Sequence, residues 1–217
     1  MSEKSSQSRF NAYEYIGVIA PGAVLSLGLI ILWPETKEIF FNNNFTVGEL
    51  GLFVIIAYVA GHLLQSVGNL IEKVLWKCFG GMPTDWVLKE DQCLVSPQQR
   101  VQWEQLLKPT QKVEILPSLT NKQWYPVVRE MCIDIEKANR SGRIDSFNRT
   151  YGLLRGIAAA FIVLAIAIPL HSPDQWKAAL WVLALGFIPA LFRMFRFGKT
   201  YGREVIVEYL RLDNNAD

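Results

Sequence analysis

Six residues, Tyr58, His62, Gln65, Asn69, Glu72 and Trp76, follow one another at intervals of four, three, four, three and four. On a helix that spacing keeps every one of them on one side. Most carry a hydrogen-bonding or ionisable group, and the first two lie in an otherwise apolar stretch, Leu50 to Leu64. Polar groups at hydrocarbon depth need a partner or water. Two chemistries satisfy that need. One is a hydrated path lined by symmetry copies of the helix. The other is a hydrogen-bonded seam to neighbouring helices, each bond stabilising by about 0.6 kcal/mol.

Two further sets could recognise a ligand. Arg193, Arg196, Lys199 and Arg203, at spacings of three, three and four, place cations on one helical side. They suit either anionic lipid or the phosphates of a cytoplasmic ligand. Trp86, Trp103, Trp124 and Tyr125 lie among Lys89, Arg100, Lys108, Lys112, Lys122 and Arg129. Aromatics beside cations suit base stacking and phosphate contact, and equally the stapling of a small helical core. No enzyme constellation emerges. His62 and His171 are the only histidines, and no Arg-x4–6-His pattern, glycine-rich phosphate loop or Ser-x-x-Lys is present. Cys78, Cys93 and Cys132 share no metal-ligand spacing. The expectation is therefore no catalytic residue, no metal and no cofactor.

The elements that must position these residues follow from hydropathy. The chain is 51% hydrophobic, and the apolar residues fall into four blocks with few or no charges, which is the pattern of an integral membrane protein. Net charge is +2, so no whole-chain case for nucleic acid follows.

Residues 1–10 are polar and serine-rich and read as a disordered tail. Asn11 to Glu14 offers a cap, and Tyr15 to Trp33 is long enough to span a bilayer. It is too long for a signal-peptide core, and no small-x-small cleavage site follows, so an anchor that stays is expected. Pro21 should kink this helix, and Gly22 and Ser26 suit close helix packing. Pro34 to Phe45 reads as a loop with an Asn42-Asn43-Asn44 turn. Thr46-Val47-Gly48-Glu49 is a capping box opening a helix that runs to Phe79, before Gly80-Gly81 and Pro83.

From Met82 to about Asn148 the chain has water-soluble character. Ser96-Pro97 starts a helix through Leu107. Lys108 to Leu119, with two prolines, reads as a loop. Val127, Val128, Met131, Cys132 and Ile135 mark a helix over 122–138. A third long helix is predicted from Arg143, with Ile144, Phe147, Tyr151 and Leu154 in one stripe before the span Gly156 to Leu170. Pro169 and Pro173 bracket a turn, Trp176 to Phe192 is the fourth span, and Phe197, Tyr201, Val205 and Tyr209 continue a helix into the tail.

Of the 22 Lys and Arg residues, only Lys37 and Lys177 fall on the side of the 34–45 loop and the 171–175 turn. Both termini and the central segment are therefore expected in the cytoplasm. Trp33 and Trp176 fall where an outer aromatic belt belongs, and all three cysteines fall on the reducing side. The expected architecture is all-α. Membrane helices one and two occupy 11–79, a cytoplasmic helical segment 80–148, membrane helices three and four 149–192, and a cytoplasmic C-terminal helix 193–217.

Span one offers only Ser26 well inside its apolar run, and spans three and four are apolar over 156–170 and 178–192. Partners for Tyr58, His62, Gln65 and Asn69 are therefore scarce in one chain, which directs them toward copies of the second helix, or water, around an oligomer axis. A single four-helix bundle is too narrow for a water path, so conduction requires several copies.

Tyr13-Glu14-Tyr15-Ile16-Gly17-Val18-Ile19-Ala20-Pro21-Gly22-Ala23, Gly61-His62-Leu63-Leu64-Gln65 and Phe192-Arg193-Met194-Phe195-Arg196-Phe197 resemble a group of small multi-pass membrane proteins of bacterial anti-phage defence islands. The resemblance covers the spans and the tail, less the central segment. It implies a bacterial inner-membrane effector or ion channel that depolarises the cell when a cytoplasmic signal changes. The implied ligand is a nucleotide or single-stranded nucleic acid, and the implied partners are membrane lipid, further copies of the chain and a nucleotidyltransferase or other defence protein. A non-conducting scaffold or accessory subunit is the alternative.

Overall fold

The computed structural model describes residues 3–33, 35, 46–89, 94–111 and 121–213. Among these it is all-helical. The order is α1 (Glu3–Leu32), α2 (Val47–Cys78), a 3-10 turn (Pro83–Leu88), α3 (Pro97–Gln111), α4 (Asn121–Lys137), α5 (Gly142–His171), a 3-10 turn (Pro173–Gln175), α6 (Trp176–Val182), a π-helical turn (Leu183–Phe187) and α7 (Ile188–Asp213). Among the described residues, four helical stretches are long and apolar enough to cross a membrane. The chain divides into two compact units. One comprises Met1–Lys73 with Arg149–Phe195, the other Val74–Asn148 with Arg196–Asp217.

Local chemistry explains the boundaries. The Thr46 amide donates to Glu49 Oε2 at 2.8 Å, and the Glu49 amide to Thr46 Oγ1 at 3.3 Å, the reciprocal capping box expected for α2. At its other end Gly80 (φ 79°) and Gly81 (φ 112°) take backbone conformations costly for residues with a Cβ. The Gly81 amide closes back on the Trp76 carbonyl at 2.8 Å. Ser96 and Gln99 cap α3 in the same reciprocal way, at 3.1 and 3.2 Å.

Three expectations are corrected. Helix α1 begins at Glu3 rather than Asn11, so the tail expected to be disordered is helical from residue 3. No proline or glycine interrupts Glu3–Phe10, and a polar segment can extend an existing helix without new nucleation. Helix α3 runs past Pro109 to Gln111, beyond the end expected at Leu107. One missing amide is tolerated near a helix end more readily than in its middle. The fourth apolar stretch is not one regular helix: the Ile188 amide reaches the Leu183 carbonyl, an i→i+5 turn. Pro189 follows at once and lacks an amide, so the ladder must adjust there. The Asn42–Asn44 turn, Lys37, Cys93, Lys112 and the second half of the 108–119 loop lie outside the described residues.

In the first unit α5 is the enclosed helix. Ala158, Ala159 and Ala160 all have 0% exposure, and three consecutive helical residues point in three directions. Leu64 joins the core with Ala159 and Ala160, flanked by Val24, Leu25, Val67, Ile71 and Val163. Helices α1 and α2 meet backbone to backbone. A Cβ on Gly22 would overlap the Ala57 carbonyl, and one on Gly61 would overlap the Val18 carbonyl. The small-residue contact expected at Gly22 and Ser26 is present, both being buried. Its counterpart on α2 is Ala57 and Gly61.

In the second unit Trp103 and Trp124 stack edge to face, centroids 5.1 Å apart. The Trp124 indole donates to the Thr84 carbonyl at 3.0 Å, and Trp76 packs edge to face on Trp86 at 6.1 Å. Met131 and Ile135 of α4 and Val205, Ile206 and Leu210 of α7 complete a buried apolar set. Arg140–Glu208 at 3.0 Å and Arg143–Glu204 at 3.5 Å pair residues of α7 with cations beside and within the first turn of α5.

Candidate functional site

A cleft of about 500 Å³ opens in the first unit between α1, α2 and α5. Helix α2 lines it with Tyr58, His62 and Gln65, three members of the stripe one turn apart. Helix α1 contributes Tyr15, Gly17 and Val18, and α5 contributes Arg149, Gly152, Leu153 and Arg155. The glycines leave the floor open, because no atom would lie within 4 Å of a Cβ at Gly17 or Gly152.

The aromatic wall is continuous. Tyr15 and Tyr58 lie 6.3 Å apart, and Tyr58 meets His62 edge to face at 4.6 Å. Beside the cleft the Arg155 guanidinium donates to Glu72 Oε2, forming an ion pair whose side chains are 23% and 18% exposed. The Arg155 stem lies over Gly68, where a Cβ would come within 3.0 Å of its Cγ. That clearance lets the guanidinium reach Glu72 from the neighbouring helix.

The polar stripe therefore divides. Tyr58, His62 and Gln65 share the cleft, and Glu72 is held beside it through Arg155. Asn69 is exposed and takes no part in the lining, and Trp76 is buried against Trp86 in the second unit. One member of the stripe, Glu72, finds a polar partner within the chain. The partner comes from α5 just before its apolar run, not from within a span. Tyr15, Arg149 and Arg155 are the site residues that sequence reasoning missed. The available signal was that Tyr15 opens the first apolar run and Arg155 immediately precedes the third, which begins at Gly156.

The other expected ligand residues lie elsewhere. Trp86, Trp103 and Trp124 are 5%, 0% and 0% exposed, and their ring faces are spent on packing. The base-stacking role expected of them gives way to the core role. Trp103 Nε1 is buried and has no hydrogen-bond partner among the described residues. Tyr125 is 69% exposed. Arg193, Arg196, Lys199 and Arg203 are all exposed along one face of α7, while Met194, Val205, Ile206 and Leu210 are buried on another. Cys132 is half-buried, and that burial pushes its thiol above the usual range despite a hydrogen bond with Tyr201.

At the far end of the first unit Trp33 meets His171 edge to face at 4.9 Å, and Lys177 lies over the Trp176 ring at 5.8 Å. His171 is 16 positions beyond Arg155 on the same helix, roughly 24 Å along its axis, so the two histidines belong to opposite ends of the unit. No protein-family model, curated protein or solved structure matches this chain.

Proposed function

We propose that the protein is an oligomeric membrane effector, an ion channel of a bacterial antiviral defence system, in which α2 faces the conducting path. The observation that carries this reading is the exposed polar edge of α2. Tyr58, His62 and Asn69 are all exposed in a single chain, on a helix whose apolar window is only 17% buried. In hydrocarbon such an edge needs water or another polar surface, and copies of the chain around an axis supply both. The multi-pass location rests on the four apolar stretches, the bacterial inner membrane on the resemblance, and the cytoplasmic termini on the placement of Lys and Arg.

Gating by a cytoplasmic nucleotide or single-stranded nucleic acid, with a nucleotidyltransferase or other defence partner, rests on the resemblance of the Tyr13–Ala23, Gly61–Gln65 and Phe192–Phe197 segments. The exposed cations Arg196, Lys199 and Arg203 are the face such a ligand would meet.

The direct test is His62→Leu. Expressed in cells carrying a potential-sensitive dye, it should abolish depolarisation while membrane insertion and oligomer size stay unchanged. Depolarisation equal to the unsubstituted chain would remove α2 from the conducting path. The Glu72–Arg155 pair favours a second reading, a non-conducting scaffold or accessory subunit, because it closes part of the stripe within one chain. That reading predicts no depolarisation by either form.

A further inference from the structure

We propose that Ile55, flanked by Leu52 and Val59, is the hydrophobic gate of the path that α2 lines, closed by the same residues of neighbouring copies of the chain. The inference rests on the reading of α2 as the path-lining helix and names what holds that path shut. Helix α2 has two faces. Ala57, Gly61, Leu64 and Gly68, at intervals of four, three and four, are all buried. They meet α1 at Gly22 and Val18, and α5 at Arg155, Ala159 and Ala160. On the other side Leu52, Ile55, Val59, His62, Ser66 and Asn69 follow at intervals of three, four, three, four and three, and all six are exposed. At roughly 100° per residue they stay within an arc of about 100°. That alternation of three and four is the seam by which a helix packs on further copies of itself. Lipid imposes no such period, and the imidazole of His62, inside the apolar run, is costly to leave against hydrocarbon. A copy of α2 is therefore the occupant of this face.

The seam changes chemistry halfway along. Leu52, Ile55 and Val59 are apolar and are 48%, 62% and 53% exposed in the single chain. From His62 onward the seam carries an imidazole, a hydroxyl and a carboxamide. Around a narrow path, a ring of polar groups holds water, whereas a ring of branched apolar side chains expels it and stops ions without a plug. Ile55 lies seven positions before His62 and seven more before Asn69, so the three share one line along the helix, with roughly 10 Å between successive members. Tyr58 stands between Ile55 and His62, but its ring packs on Tyr15 and His62 in the cleft. The constriction therefore falls to Ile55 and the two apolar residues beside it.

The test reconstitutes the full-length protein in vesicles of phosphatidylethanolamine and phosphatidylglycerol and reads potassium flux with no ligand added. Flux through Ile55→Ser is expected at least about tenfold above the native chain, because a ring of hydroxyls admits water where a ring of isoleucines expels it. Leu63→Ser, exposed beside the seam on the same helix, should match the native chain. Adding His62→Leu to Ile55→Ser should return flux to the native level, because a leucine ring then closes the path seven positions further on. If Ile55→Ser fails to assemble, Ile55→Thr is read instead, with a several-fold rise. Flux through the assembled Ile55 variant equal to the native chain, where the native chain depolarises cells, overturns the gate and leaves the path-lining reading intact. A rise that His62→Leu does not reverse, or that Leu63→Ser reproduces, also overturns the gate, since the leak then lies elsewhere. No flux from the Ile55 variant and no depolarisation by the native chain overturns both.

Discussion

Glu72 and Arg155 form the clearest single interaction of the site. Each side chain is mostly removed from solvent, so neither charge is fully hydrated without the other. Removing Arg155 strands a carboxylate, whereas removing both charges strands nothing. Arg155→Gln is therefore expected to destabilise by about 2 kcal/mol, and the Glu72→Gln, Arg155→Gln double variant by clearly less than the two single losses added together. Denaturation of the four proteins in detergent measures the cycle, and strict additivity would mean the pair contributes no coupling. The period of the stripe made Tyr58, His62, Gln65 and Glu72 legible from sequence. The partner of Glu72 was not legible, because Arg155 belongs to a helix some 80 positions away in the chain and the hydropathy that marks a span ignores the cations at its edge. The indoles show the opposite limit. Trp86, Trp103 and Trp124 beside lysines and arginines have the composition of a nucleic-acid surface, but burial decides between surface and core, and no spacing reports burial.

At the scale of elements, helix ends were read most securely where capping chemistry is local. Thr46 with Glu49, Ser96 with Gln99, and Gly80-Gly81 act within a few residues of one another, so the sequence contains the whole interaction. The start of α1, the passage of α3 through Pro109 and the π-turn before Pro189 depend on what the rest of the helix does. The crossing of α1 and α2 makes a prediction of its own. Gly61 lies against the Val18 carbonyl, whereas Gly51, one helix face and ten positions earlier, has no atom within 4 Å of its Cβ position. Gly61→Ala must separate the helices and should cost about 1–3 kcal/mol. Gly51→Ala meets nothing and removes a flexible residue, so it should be neutral or stabilising by up to about 1 kcal/mol. Thermal unfolding of the two variants in the same detergent checks the contrast. Equal effects would mean that the close approach at Gly61 is not where α1 and α2 are held.

At the scale of the molecule, the four apolar stretches and the all-helical class were legible because hydropathy and period are long, additive signals. The cleft was not, because it exists only where three such stretches come together. Everything proposed for this chain depends on one arrangement in the membrane. The proposed topology puts Cys78 on the cytoplasmic side and the turn at Pro173–Gln175 on the outer side. Thiol accessibility reads this directly. Cys78 is exposed and suits the inner side, whereas the half-buried, poorly ionised Cys132 thiol would react slowly on either side of the membrane. Asp174 is exposed in the Pro173–Gln175 turn, and Asp174→Cys in a chain with its three native cysteines replaced by serine supplies the second reporter. With an impermeant maleimide on intact cells, Asp174→Cys should label at once and Cys78 only after the membrane is permeabilised. Labelling of Cys78 in intact cells, or protection of Asp174→Cys until permeabilisation, would contradict the arrangement.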